Sequence, residues 1–154
     1  MELSTEVLFI INIILSLSLG FLLGREREIR HKEAGVGTNT FVVMGSMLFT
    51  FLSTRVDPLS TSRIAAGMIT GIGFLGAGII IQKGSSVRNL TTAASIWFAA
   101  GIGMAIGYEY HLIAIIATFM GLLIPHLPHF KDYRQEEPKA IQPRKKPSTR
   151  KRKT

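Results

Sequence analysis

The sequence predicts an all-α, polytopic membrane protein of about five transmembrane helices, with the N-terminus outside and the C-terminus in the cytoplasm. Three observations predict it. Between Leu8 and Ile124 the charged residues fall in short clusters separated by long apolar runs. Those runs lack the polar stripe at a 3.6-residue period that a soluble amphipathic helix shows. The basic residues are also divided very unevenly between the two sides that an odd number of spans would create. Overall composition decides less, because 47% apolar residues is a share that soluble domains also reach.

A hydrocarbon core of roughly 30 Å needs about 17–25 apolar helical residues. Val7 to Gly24 supplies the first span. Glu2 and Glu6 stand where a signal peptide would have a basic region, so this run reads as a retained helix. Asn39 to Thr54 is the second span, shorter than the first and with the weakest span signal. Ile64 to Ile81 and Leu90 to Gly107 are the third and fourth. Leu112 to Leu127 is the fifth, closed by Pro125 and Pro128.

The loops set the direction. Arg25, Arg27, Arg30 and Lys32 follow the first run, and Lys83 and Arg88 follow the third. Residues 131–154 hold ten Lys/Arg, so 16 of the 18 basic residues share one side, against Arg55 and Arg63 on the other. Basic residues concentrate in cytoplasmic loops, which places the tail inside. Four or six spans would spoil this partition. Residues 1–130 are therefore read as the transmembrane domain and 131–154 as a basic cytoplasmic tail. With Pro138, Pro143, Pro147 and few apolar residues, the tail is expected to be disordered. Its expected partner is anionic lipid, at about 1 kcal/mol per Lys/Arg near the surface, and no nucleic acid is expected.

Several patterns invite a chemical reading. Gly71, Gly73 and Gly76 match a dinucleotide fingerprint, but that fingerprint works only between a strand and a helix. Here it lies inside an apolar run, so no cofactor is expected. Small residues let helix backbones approach closely in lipid. Gly67, Gly71, Gly73, Gly76 and Gly78, with Gly101 and Gly103, therefore predict that helices three and four form the tightly packed centre, and they suggest a homodimer. Asn89, Thr91, Thr92 and Ser95 open the fourth helix. They read either as an N-cap with hydroxyls bonded to backbone, or as a polar site near the cytoplasmic face. Arg25, Glu26 and Arg27 read either as a snorkelling, ion-paired helix end or as groups turned inward toward another helix. Asp57 and Arg63 form an outer cluster with Arg55, a solvated loop or an ion pair. His126 and His129 lack carboxylate or thiolate companions, which is weak for metal and reads as interfacial anchoring.

The chain has no cysteine, so disulfides and thiolate metal sites are excluded. No catalytic triad or paired-carboxylate arrangement appears within the spans, so no enzyme is expected. Ion paths are usually marked by ionisable residues within the membrane, and the interiors of these runs carry none. Mg²⁺ requires octahedral oxygen ligands and sheds water reluctantly.

The order Gly20-x-x-x-Gly24-x-Glu26-Arg27, Ala34-Gly35, Thr38-Asn39, Arg63-Ile-Ala-Ala, GIGFLGAG from Gly71 and LTTAAS-W from Leu90 resembles the MgtC/SapB family of prokaryotic inner-membrane proteins, over roughly residues 7–125. The resemblance implies a plasma-membrane domain of four or five helices. It also implies links to growth at low magnesium, acid stress and survival in macrophages, and action on membrane partners such as the F-type ATP synthase. The label of magnesium transporter that the family carries gives the alternative, a cation transporter or channel. Two departures matter. Family members often have an arginine where this chain has Gly37, and some carry a soluble ACT-like domain where this sequence has the basic tail.

Overall fold

The computed structural model describes residues 4–83 and 86–127. Five helices follow one another: α1 (Thr5–Ile29), α2 (Val36–Val56), α3 (Thr61–Ile79), α4 (Leu90–Gly107) and α5 (His111–Leu123), the last extended by a 3-10 turn, Ile124–His126. A short antiparallel hairpin joins α3 to α4. Its strands β1 (Ile81–Lys83) and β2 (Ser86–Arg88) pair Ile81 with Arg88 and Gln82 with Val87.

Local chemistry sets the boundaries. Ser4 caps α1 by accepting from the Val7 amide at 3.4 Å, and Glu6 lies favourably in its first turn. The helix runs on through the charged cluster to Ile29, so Arg25 to Glu28 are its last turn rather than a loop. His31 and Ala34 at positive φ then reverse the chain into α2. Asp57 ends α2 because the residue before Pro58 is pushed out of the helical region.

Four helices, α1 to α4, are long and apolar enough to cross a membrane. At 1.5 Å per residue α5 rises about 20 Å, short of a roughly 30 Å hydrocarbon core. Large apolar side chains cover the outside, with Phe74 84% and Phe41 79% exposed. A surface of this kind requires an apolar solvent, and lipid is the bilayer's.

The interior is built differently from the sequence-based expectation. The largest fully buried apolar side chains lie on α2 and α4: Met47, Ile96, Ile102, Ile106 and Val43. The closest backbone approaches are α1 on α2 and α2 on α4. A Cβ at Gly20 would stand 2.7 Å from the Thr40 Cα, and one at Gly24 would strike the Val36 backbone. A Cβ at Gly107 would stand 2.6 Å from the Met47 carbonyl oxygen, and one at Gly103 would collide with the Val43 carbonyl. The expected centre between helices three and four is therefore corrected to α2, held between α1 and α4. Only Gly76 of α3 is buried, against Ala93 of α4, whereas Gly67, Gly71, Gly73, Gly78 and Gly101 face open space within this chain. The second run looked weak as a span because its inward face carries Asn39, Ser46, Thr50 and Ser53, all buried. A helix surrounded by other helices does not need the hydropathy that lipid contact requires.

Hydrogen bonds fasten α3 at its ends. The Thr61 carbonyl accepts from Tyr108 Oη at 3.3 Å and from Ser53 Oγ at 3.4 Å. The Ile79 carbonyl accepts from Asn89 Nδ2 at 3.3 Å.

Candidate functional site

The charged end of α1 meets α2, α4 and the end of α5 in a single polar cluster. Arg27 points inward and is only 7% exposed. Its Nη2 donates to Thr92 Oγ1 of α4 at 2.6 Å, and Nε and Nη2 both reach the Glu33 carbonyl at 3.4 Å. A guanidinium can do this because its donors form a fixed fork that serves several acceptors at once. Thr92 is 2% exposed, so the bond is shielded from both water and lipid.

The turn between α1 and α2 is clamped around it. Glu28 Oε1 accepts from the Val36 amide at 2.9 Å, serving as the cap that Gly35 cannot provide. Asn39 Nδ2 donates to the carbonyls of Ala34 at 2.5 Å and Gly35 at 3.1 Å. Arg30 Nη1 donates to the Pro125 carbonyl at 2.5 Å, joining α1 to the 3-10 turn. Arg30 Nε also lies 3.5 Å from Glu26 Oε1, an oxygen that is buried and has no hydrogen-bond partner among the described residues.

These groups enclose a cavity of about 40 Å³, lined by Leu23, Glu26, Arg27, Asn39, Ser95, Phe98, Gly121 and Pro125. That volume admits two or three water-sized molecules at most. Its walls combine one cation, one carboxylate, an amide and a hydroxyl, which suits bound water or a small polar group.

The structure thus gathers Glu26, Arg27, Thr92 and Ser95 from the predicted residues and leaves the others elsewhere. Arg25 and Thr91 are exposed. Asn89 occupies the N-cap position of α4 but does not cap it: it sits at φ 65°, and its amide turns back to the end of α3. Ser95 Oγ bonds the Thr92 carbonyl at 2.8 Å, as a helix hydroxyl commonly does, while the Thr92 hydroxyl is taken by Arg27. Trp97 is 53% exposed, on the outer surface.

Asp57 and Arg63 lie at the opposite end, where the ion pair joins Arg55 and Glu109 at 3.1 Å instead. Arg55 also stands over the Phe51 ring at 5.0 Å. His126 Nδ1 contacts the Leu122 carbonyl at 2.9 Å; His129 and the basic tail lie outside the described residues. Among the described residues no three His, Asp or Glu side chains gather as a metal site. Asn39, Arg30 and Pro125 were not expected in the site. For Asn39 a signal existed, an amide opening an apolar run, but nothing local says that it faces inward.

A second polar group lies on the other half of α1. Asn12 Oδ1 stands 2.7 Å from His111 Nε2 of α5, while Asn12 Nδ2 and Ser16 Oγ are buried without partners among the described residues.

The MgtC family model matches residues 13–130, most of the chain and all of the polar cluster. The chain belongs to the MgtC family. It is 43% identical over 112 residues to Protein MgtC of Salmonella typhimurium, covering 73% of this chain and 48% of that protein. It is 46% identical over 101 residues to Protein MgtC of Brucella abortus, covering 65% of this chain and 42% of that protein. The chain thus spans about half the length of the curated relatives it matches. No solved structure matches it. Family and apolar helices together make it a multi-pass membrane protein in contact with the lipid bilayer.

Proposed function

We propose that this chain is a non-enzymatic protein of a prokaryotic inner membrane that modulates a membrane partner or ion homeostasis during stress such as low magnesium or acid. The observation that carries this reading is Arg27. Where α1, α2 and α4 converge, the most buried charged side chain is a guanidinium, bonded to Thr92 and beside the less buried Glu26. A cation crossing at this end of the bundle would pass a fixed positive charge in a low-dielectric setting, where like charges repel strongly. The cluster instead resembles a clasp that holds four elements in one arrangement, and such a clasp suits a protein that acts by contact.

Two surfaces support contact. The α3 glycines that meet nothing within this chain suit a neighbouring helix, whether a membrane partner or a second copy. The basic residues 131–154 suit anionic lipid. The loop charges support an N-terminus outside and a cytoplasmic tail.

The test pairs two measurements. Purified protein in liposomes is expected to move Mg²⁺ no faster than empty vesicles. Cross-linking in native membranes is expected to return a membrane protein partner. Cation movement above background that T92V or E26Q abolishes would overturn this reading in favour of a transporter or channel.

A further inference from the structure

The outer face between α1 and α2 carries a groove that the polar cluster does not use. It is a shallow, open depression lined by Leu17, Ser18, Phe21, Leu22, Val36 and Thr40. From Leu17 to Arg25 is eight residues, a rise of about 12 Å. That is less than half of a roughly 30 Å hydrocarbon core, so the groove is confined to one leaflet.

The basic end of this groove has an unusual setting. Arg25 is exposed and lies three and four residues beyond Leu22 and Phe21, on their face of α1. The N-terminus of α2 opens at the same level, because Val36 packs on Gly24. That helix has no acidic residue in its first turn and no side-chain cap from Gly35. Glu28 takes the Val36 amide. The Gly37 and Thr38 amides are in the first turn, where no intrahelical acceptor exists, and both residues are exposed. An apolar trough at acyl-chain depth therefore ends under a free arginine and beside the first-turn amides of α2 that Glu28 leaves open.

We propose that this groove is a binding site for one anionic phospholipid, its acyl chain along Leu17, Phe21 and Leu22 and its phosphate between Arg25 and the start of α2. The site is distinct from the basic tail, and it differs from general lipid contact in selecting the headgroup. An arginine with helix amides recognises a phosphate by charge and hydrogen bonds together.

The test uses the full chain, reconstituted in vesicles of equal phosphatidylglycerol and phosphatidylcholine with matched acyl chains. The lipids that remain bound after extraction are counted by native mass spectrometry. The parent chain is expected to retain phosphatidylglycerol preferentially. R25Q is expected to lower the retained phosphatidylglycerol-to-phosphatidylcholine ratio about fivefold, the factor for one basic residue near an anionic surface. R88Q, which removes a charge on the same side but away from the groove, is expected to leave it nearly unchanged. S18W fills the trough and is expected to remove the retained lipid; L22W replaces it if S18W loses helicity. The proposal is overturned if the groove-filling variant retains lipid as the parent does, or if R88Q matches R25Q. It is equally overturned if filling the groove abolishes a dimer while lipid retention is unchanged, since the occupant is then a second copy.

Discussion

Replacing Thr92 by valine removes one hydroxyl from α4 and keeps the branched shape that packs there. What is lost is the 2.6 Å acceptor of a buried guanidinium. Hydrogen bonds to charged groups contribute about 1.5–3 kcal/mol in soluble proteins. Interhelical polar pairs in bilayers average about 0.6 kcal/mol and reach about 1.7. Arg27 keeps two longer contacts to the Glu33 carbonyl at 3.4 Å, which do not substitute for the short bond. Because both partners are buried and one is charged, the expected coupling lies near the top of the membrane range, about 1.5 kcal/mol. That is roughly a tenfold change in the folded ratio. The measurement is a double-mutant cycle with T92V, R27M and the pair, each unfolded reversibly in mixed micelles and followed by helical circular dichroism. R27M alone is expected to cost more than T92V, because it also frees the Glu33 carbonyl and the turn behind it. A coupling below about 0.5 kcal/mol, the scatter of independent sites, would refute the view that this bond clasps α1 to α4.

Three other outcomes follow from the packing. Gly103→Ala is expected to cost about 1–3 kcal/mol in the same unfolding assay, because the added methyl meets Ser46 Cβ at 2.8 Å and the Val43 carbonyl. Gly71→Ala meets nothing within 4 Å and is expected to be neutral or to stabilise by up to about 1 kcal/mol. Ser16→Ala is expected to raise stability by roughly 1 kcal/mol, because the hydroxyl is buried without a partner among the described residues; a clear loss would show that the hydroxyl is bonded in the membrane. The sequence has no cysteine, so single cysteines at Leu59, which is 98% exposed, and at Lys32 can be labelled with an impermeant maleimide. Leu59→Cys is expected to react in intact cells and Lys32→Cys only after permeabilisation; the reverse pattern would invert the proposed orientation.

The runs that cross the bilayer were legible because lipid imposes one condition on every exposed position. Leu90 to Gly107 appears with the boundaries read from the sequence. The apolar run of the first span ends at Gly24, five residues before the helix does at Ile29. An arginine ordinarily signals the water interface, and nothing near Arg27 in the chain reveals that its partner lies 65 residues away on α4. Glycines misled for the same kind of reason. Gly71 and Gly103 look alike as small residues in apolar runs, yet one faces open space and the other accommodates the Val43 carbonyl.

By itself, then, the sequence determined the all-α membrane class, the approximate spans, the uneven division of charge and the family. Each of these follows from composition along the chain, where the requirement is solubility in lipid and holds residue by residue. Only the tertiary structure decided that α2 is the central helix, that α3 lies at the edge, and that Glu26, Arg27, Asn39 and Ser95 share one cavity. Those outcomes depend on which faces meet. In a bundle where lipid and protein are equally apolar, hydropathy cannot distinguish a face that meets another helix from one that meets an acyl chain. Close backbone approach and the pairing of buried polar groups make that choice, and both are properties of residues distant in sequence.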